Sequence, residues 1–260
     1  MSVERVDIDV AGSPWHEEHL SRYYFIKDRV KDKVILDIAC GTGFGTELLI
    51  NNNASFVYAA DVADEAIEIC NARLKKINAG NFICHKQDGT QMSYADHTFD
   101  MVVSFETIEH IKEYNSFLKE ISRVLKPGGL LVLSTPNALV TKPINGVPQN
   151  PFHVHEFGPN ELNQLLSKFF KIELAAGQHV ISKYGVVPYL PSFNRDALTF
   201  KQNINFLYWR FALRLPTFIS NLTHKIFFSY PFYPAVDQYT FLTGNINTAH
   251  VQYYICKKTG

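Results

Sequence analysis

The segment Lys33-Val-Ile-Leu-Asp-Ile38 runs directly into Ala39-Cys-Gly-Thr-Gly-Phe-Gly45. A short, continuous apolar run that ends in closely spaced glycines reads as a buried strand turning sharply into a helix. Strands that are apolar throughout must be covered on both faces, which demands parallel β-α-β units. Glycine lets the backbone approach a ligand where a side chain would collide. The helix that follows presents unpaired N–H groups and a partial positive charge at its first turn. The spacing is Gly41-x-Gly43-x-Gly45, with Thr46 where the dinucleotide pattern G-x-G-x-x-G wants glycine or alanine. Asp61 closes the next apolar run, twenty positions after Gly41. At that distance a carboxylate accepts hydrogen bonds from the ribose hydroxyls of an adenosine cofactor.

Apolar runs and helical patterns then alternate along the chain. Strands are expected at Lys33–Ile38, Ser55–Ala60, Asn81–Cys84, Phe99–Ser104 and Leu130–Ser134, with further ones at Phe170–Leu174 and Val251–Cys256. Helices are expected from Phe44 to Asn51, from Ala63 to Lys76 and from Tyr114 to Leu125, where Lys126-Pro-Gly-Gly129 stops the last one. The result is an α/β protein: a seven-stranded sheet with helices on both faces. Residues 1–30 form an N-terminal cap whose helix covers residues 13–30, and 31–184 form the core. Residues 185–245 are an aromatic-rich insertion, and 246–260 carry the final strand of the core.

At 260 residues the chain can bury one substantial core. Formal net charge is zero, so the basic footprint of a nucleic-acid partner is missing. The four cysteines, Cys40, Cys70, Cys84 and Cys256, form no C-x-x-C pair and read as free thiols in a reducing compartment. No basic, apolar leader opens the sequence, and no apolar run approaches the ~20 residues that span a bilayer. A cytoplasmic protein is expected.

In order, Asp37-Ile-Ala-Cys-Gly-Thr-Gly-Phe-Gly45, Asp61, Gln87-Asp88-Gly89, Phe99-Asp-Met-Val-Val-Ser-Phe-Glu-Thr-Ile-Glu-His110 and Leu125-Lys-Pro-Gly-Gly129 resemble the class I S-adenosylmethionine-dependent methyltransferases. The resemblance covers residues 33 to about 175. It implies a Rossmann-like sheet in the order 3-2-1-4-5-7-6 with the last strand antiparallel, and S-adenosylmethionine as cofactor. By position it implies that Asp37, Ala39 and the Gly41–Gly43 backbone hold the methionine portion and Asp61 the ribose. Val62, Asp88 and Gly89 would frame the adenine, with Asp88 accepting from its amine. Phe105 and Glu106 would line the methyl-transfer mouth. Arg22, in the leading helix, is the candidate partner for the methionine carboxylate, because a guanidinium meets it bidentately. NAD is the nearest rival ligand for such a loop.

A hydroxyl acceptor must lose its proton, and a positioned histidine can take it. Of ten histidines, His153 and His155 stand in Asn150-Pro-Phe-His-Val-His-Glu-Phe157, beyond the fifth strand, and an extended H-x-H puts both rings on one side. His110 is the third candidate. A metal site from His153, His155 and Glu156 lacks a further ligand fixed by spacing, so no metal is expected. His16 and His19 flank Trp15 and are placed to close over the cofactor. The segment Ser134-Thr-Pro-Asn137 with the H-x-H loop resembles methylases beside sugar-polymer assembly enzymes, and also quinone O-methylases. The expected acceptor is therefore a small molecule or glycan hydroxyl. Alternatives are a quinone or lipid at a membrane surface, an amino-sugar nitrogen, and a catalytically inactive cofactor-binding scaffold. The fourth strand ends in Ser104-Phe-Glu-Thr, without the Asn/Asp-Pro-Pro-aromatic signature of base methylases.

Residues 197–236 hold no Asp or Glu, four Lys or Arg and eleven aromatics. Helices are expected over Phe206–Leu215 and Phe218–Phe228, broken at Pro216. Such a segment serves as a lid, a homodimer contact, or a membrane-surface contact through residues 200–233, which would make the protein peripheral to a membrane.

Overall fold

The computed structural model describes residues 14–180, 207–208, 211–212, 214–229 and 233–259. Helix α1 (Pro14–Phe25) precedes β1 (Val34–Ile38), α2 (Phe44–Asn51), β2 (Phe56–Asp61), α3 (Asp64–Lys76) and β3 (Phe82–Lys86). Then come β4 (Phe99–Phe105), α4 (Tyr114–Val124), β5 (Leu125–Pro136), α5 (Ala138–Thr141), α6 (Pro159–Leu166) and β6 (Lys171–Val180). Helix α7 (Thr217–Phe228) and strands β7 (Tyr239–Leu242) and β8 (Val251–Lys257) complete the described elements.

One sheet runs in the order β3-β2-β1-β4-β5-β8-β6-β7. Strands β3 to β5 are mutually parallel, and β8 inserts antiparallel between β5 and β6. Alternation along the strands splits the core into two layers. Leu36, Ile38, Phe99 and Val102 pack under α4 and α6, on Phe117, Leu118, Ile121 and Leu162. Ile35, Met101, Val103 and Phe105 pack on the opposite face with Tyr23 of α1, Leu49 of α2 and Leu74 of α3. The chain departs from β1 toward β2 on one side, and β4 flanks β1 on the other. That switch point opens a crevice at the carboxyl ends of β1 and β4.

The expected sheet needs one correction: it has eight strands, not seven. The added strand β7 lies inside the stretch assigned to the aromatic insertion and pairs antiparallel with β6 from Gly177↔Leu242 to Val180↔Tyr239. At four residues it is too short to show a period, and non-local packing forms it. The Phe241 ring lies 4.3 Å from Phe25 and 4.7 Å from Tyr253. Strand β6 is also longer than expected, reaching Val180, and this tail carries Gln178 to α1.

Two smaller corrections follow from local geometry. Lys126-Pro-Gly-Gly129 does end α4, but it lies within β5 as an irregularity in the β4–β5 register, with Gly128 at φ +77°. The leading helix stops at Phe25, and a 3-10 turn over Lys27–Arg29 follows.

Of the expected helix over Phe206–Leu215, residues 207–208 and 211–212 are helical, while 206, 209, 210 and 213 lie outside the described residues. Helix α7 is formed, with its polarity reversed. Ser220 and His224 are buried, the Ser220 hydroxyl donating to Ala212 O at 2.6 Å, while Phe218, Leu222 and Ile226 are exposed. These three, at i, i+4 and i+8, form an apolar stripe turned outward. Among the described residues, no helix is long and apolar enough to cross a membrane. The cysteines are free, and Cys70 Sγ lies 3.4 Å from Cys84 Sγ.

Candidate functional site

The loop after β1 turns through three left-handed positions, Ala39 (φ +60°), Gly41 (φ +54°) and Gly43 (φ +79°). The glycines differ in what a side chain would meet. A Cβ on Gly43 would lie 2.5 Å from Cys70 Sγ, and one on Gly45 would lie 2.0 Å from the Tyr23 ring, so both are demanded by packing. A Cβ on Gly41 would meet nothing within 4 Å. Gly41 therefore faces open space, where a ligand can lie against bare backbone.

Two carboxylates shape this loop. Asp61 accepts from Gly41 N at 3.0 Å and from Ala63 N at 2.9 Å, one donor on each oxygen. Each oxygen keeps a further lone pair for a ligand hydroxyl. Asp37 is buried and accepts from the Tyr23 hydroxyl at 3.0 Å and from Thr46 Oγ1 at 2.6 Å. Burial pushes its pKa up to about 6, the Thr46 and Tyr23 donors pull against that, and the charge of Asp61 adds to it. Tyr23 and Thr46 thus tie α1 and α2 to the loop. On the adenine side, Val62 is exposed, and Asp88 accepts from Thr90 N and Thr90 Oγ1 at 2.8 and 2.7 Å. A Cβ on Gly89 would lie 2.6 Å from the Phe117 ring.

Arg22 is 1% exposed, an unusual burial for a guanidinium. Its Nε donates to Gln178 Oε1 at 2.7 Å and its Nη2 to Glu18 Oε1 at 3.1 Å. Nη1 lies 3.5 Å from Glu106 Oε1 and is a buried nitrogen without a hydrogen-bond partner among the described residues. Glu106 ends β4 in a left-handed conformation at φ +48° and accepts from Ser134 Oγ at 2.7 Å. Burial opposes its ionisation, but Arg22, His19, Ser134 and His250 overcome it and hold the pKa below the usual carboxylate range. Phe105, just before it, packs on Tyr23 with centroids 4.7 Å apart. His16 places its ring 5.6 Å from Phe44, over the start of α2.

Beyond Glu106 a 3-10 turn over Ile108–His110 sends Glu109 inward and His110 toward the surface. The expected extended H-x-H is not formed, so its two rings do not share a side. Asn150 O accepts from His153 N and Asn150 Oδ1 from Phe152 N, which folds the loop into a turn just before the pair. His153 points inward: its Nδ1 lies 2.6 Å from Glu156 Oε1, its Nε2 3.0 Å from Asn150 Nδ2, and its ring centroid 4.9 Å from that of His110. His155 points away, pairing with Glu161 at 2.8 Å and lying against Phe157 and Tyr114. The structure therefore brings His110 and His153 together and leaves His155 outside. The metal grouping weighed from sequence, His153 with His155 and Glu156, dissolves for the same reason. One ligand atom each from Glu109, His110 and His153 instead lies within 4.8 Å of the others.

Sequence reasoning missed Tyr23, Glu109 and His250, whereas Glu156, expected to orient a ring of the H-x-H pair, holds that of His153. The His250 Nε2 is buried and has no hydrogen-bond partner among the described residues. Burial lowers its pKa, and the charges of Glu106, Arg22, Glu156 and His153 all act on it. Its sequence context, Ala249-His-Val-Gln252, carries no signal beyond the start of a strand.

A family model described as a methyltransferase domain matches residues 36–133. A probable S-adenosylmethionine-dependent methyltransferase of Mycolicibacterium smegmatis is 31% identical over 166 residues, covering 63% of this chain and 62% of the relative. Over residues 36–133 the chain is similar to the S-adenosylmethionine-dependent methyltransferases. A ubiquinone biosynthesis O-methyltransferase of Parvibaculum lavamentivorans is 28% identical over 146 residues, covering 50% of this chain and 56% of that methyltransferase. Among solved structures, an S-adenosylmethionine-dependent methyltransferase from Aquifex aeolicus superposes with a TM-score of 0.55 at 20% identity, covering 66% and 93% of the two chains. A Pyrococcus horikoshii protein gives 0.55 at 24% identity, covering 65% and 87%. The chain spans between 56% and 62% of the length of the first curated methyltransferases it matches.

Proposed function

We propose that this methyltransferase moves the methyl group of S-adenosylmethionine to a hydroxyl of a small molecule, a sugar or sugar-containing compound before others. When bound, the cofactor supplies an activated methyl and its own leaving group, so the chain's task is alignment, exclusion of water and handling of a proton. The observation that carries the reading is the inward pair His153–Glu156 beside His110 and Glu109, just beyond Phe105 and Glu106. A nucleophilic nitrogen of low pKa needs no proton removed, whereas a hydroxyl does. A cofactor-binding scaffold would have no use for a buried polar cluster whose cost in desolvation is real. A quinone hydroxyl is the second reading, favoured by the relatives named ubiquinone biosynthesis O-methyltransferase.

Two features of the cofactor side support the fit. Gly41 offers bare backbone in open space, and Arg22 Nη1, 3.5 Å from Glu106, is a buried donor without a hydrogen bond among the described residues. In this reading Arg22 takes the methionine carboxylate, Asp61 the ribose hydroxyls, and Val62, Asp88 and Gly89 the adenine. Asp37 holds the methionine end of the loop through Tyr23 and Thr46. Removal of the acceptor's proton depends on His153, which Glu156 orients. Burial works against the Glu156 charge, but hydrogen bonds from His153 and Thr141 keep its pKa below the usual range, so it stays ionised at neutral pH.

Calorimetry tests the cofactor assignment. S-adenosylmethionine should bind one per chain while NAD does not. Asp61→Ala should weaken it by about 1–3 kcal/mol, since charge-assisted hydrogen bonds to hydroxyls are lost. Equal affinity in the variant would reduce Asp61 to a residue that braces the loop.

A further inference from the structure

Glu109 is 1% exposed, and its two oxygens are treated differently. Oε2 accepts from the Thr135 hydroxyl at 2.8 Å, whereas Oε1 is buried with no hydrogen-bond partner among the described residues. Burial pushes the Glu109 pKa up to about 8, and leaving an oxygen of this carboxyl unpaired in the interior costs free energy that a structure normally avoids. That oxygen faces His110, whose Nε2 lies 3.9 Å away. The other His110 nitrogen, Nδ1, lies 3.0 Å from Phe152 O and so carries the proton, which leaves the lone pair on Nε2. His153 repeats the arrangement: Nδ1 is 2.6 Å from the Glu156 carboxylate, which puts the proton there and the lone pair on Nε2.

We propose that Glu109 Oε1, His110 Nε2 and His153 Nε2 bind a divalent transition-metal ion. The three side chains already hold ligand atoms within 4.8 Å of one another. Metal–ligand bonds of about 2.1 Å place ligand atoms about 3.0–3.5 Å apart, so the group has only to close by about an ångström. The Asn150 amide, 3.0 Å from His153 Nε2, gives up that contact when the ion enters.

Every ligand already has the outer partner that fixes its orientation: Thr135 on Glu109, the Phe152 carbonyl on His110, and Glu156 on His153. A second hydrogen bond of this kind sets the tautomer of a ligating histidine and raises its basicity. Two imidazoles with one carboxylate suit Zn²⁺, Mn²⁺ or Fe²⁺ better than Mg²⁺ or Ca²⁺, which prefer oxygen throughout. Three protein ligands leave open positions, as in catalytic sites, and the His110 side chain is 32% exposed, which gives the ion a way in.

The purpose of the ion rests on the hydroxyl-acceptor reading above. Bound to the acceptor oxygen, it would lower the pKa of that hydroxyl so that a solvent water takes the proton; the oxygen then attacks the methyl and S-adenosylhomocysteine leaves. His153 then serves deprotonation through the ion it holds. Binding of the ion does not depend on that reading.

The test uses the whole chain, freed of metal by a chelator and titrated with ZnCl₂ and with MnCl₂, following heat and the Mn²⁺ paramagnetic signal. One ion per chain should bind, with at least tenfold weaker binding in Glu109→Gln and in His110→Ala. Glu156→Gln, which touches no ion, should weaken binding about 10–100-fold by loosening His153. Affinity for S-adenosylmethionine, measured in each variant, confirms that it is folded. No binding of either ion up to millimolar concentration, or equal affinity in wild type and Glu109→Gln, overturns the proposal. Methyl transfer that survives chelation, with no ion bound, leaves the hydroxyl reading standing without the metal. An ion that binds as described in a protein that methylates nothing does the reverse.

Discussion

His153→Ala lowers turnover on a hydroxyl acceptor by about 10²–10⁴-fold while leaving S-adenosylmethionine affinity nearly intact. The expectation rests on position. His153 lies at the carboxyl end of the central strands with Glu156 on its Nδ1 and His110 against its ring. It touches neither the glycine loop nor Asp61, so cofactor binding has no reason to change. The deficit shrinks as pH rises, because hydroxide takes over the proton that the histidine no longer deals with. His155→Ala should change turnover by no more than a few-fold, since its ring is engaged by Glu161, Tyr114 and Phe157. Steady-state kinetics from pH 6 to 10 decides it. A His153→Ala enzyme of full activity removes this histidine from the chemistry.

The largest structural effect belongs to Arg22. Arg22→Met costs about 3–5 kcal/mol of folding stability at neutral pH, as expected when one partner of a buried ion pair is deleted. Glu18 in α1 and Glu106 just past β4 would then lose their counter-charge. Burial already raises the pKa of Glu18, with Arg22 pulling it down, and Arg22 is the foremost of the groups that hold Glu106 low. Without the guanidinium both folded-state pKa values rise above those of the unfolded chain. A raised acid pKa in the folded state is a penalty present in full above the folded value and absent below the unfolded one. The variant should therefore recover part of its deficit between pH 7 and pH 5. Urea melts at the two pH values measure it. A loss below 1 kcal/mol, or one equal at both, would contradict the buried network.

The parts of the fold that were legible in the sequence are those written locally. The apolar run of β1, its glycines and Asp61 lie within thirty residues and each has one physical reading. Helix α4 is as plain, since Phe117, Leu118, Ile121 and Val124 recur at helical spacing and are fully buried. Strand β7 was not legible because Phe25 and Tyr253, 216 and 12 residues from Phe241 in sequence, are what stabilise it. The H-x-H loop failed for a different reason: period-2 alternation holds only for extended backbone, and the chain bends at Val154, where Val154 N and His155 N both donate to Glu109 O. Arg22 was picked for its chemistry, but its partner Gln178 lies 156 positions away and becomes visible only when β6 is long enough to reach it. Glu109 and His110 are adjacent in sequence, and a single 3-10 turn decides that one is buried and the other reaches the surface.

Methyl transfer by this chain to a small-molecule hydroxyl can be observed outright. The direct measurement is incubation of the protein with S-adenosylmethionine labelled in its methyl group and with fractionated small molecules, glycans and quinones. Label is expected in one acceptor fraction as a methyl ether stable to mild acid and base, with an equal amount of S-adenosylhomocysteine released. Label in an N-methyl product would overturn the hydroxyl reading. Cofactor bound at the Asp61 site but no fraction labelled above a heat-killed control would contradict the claim.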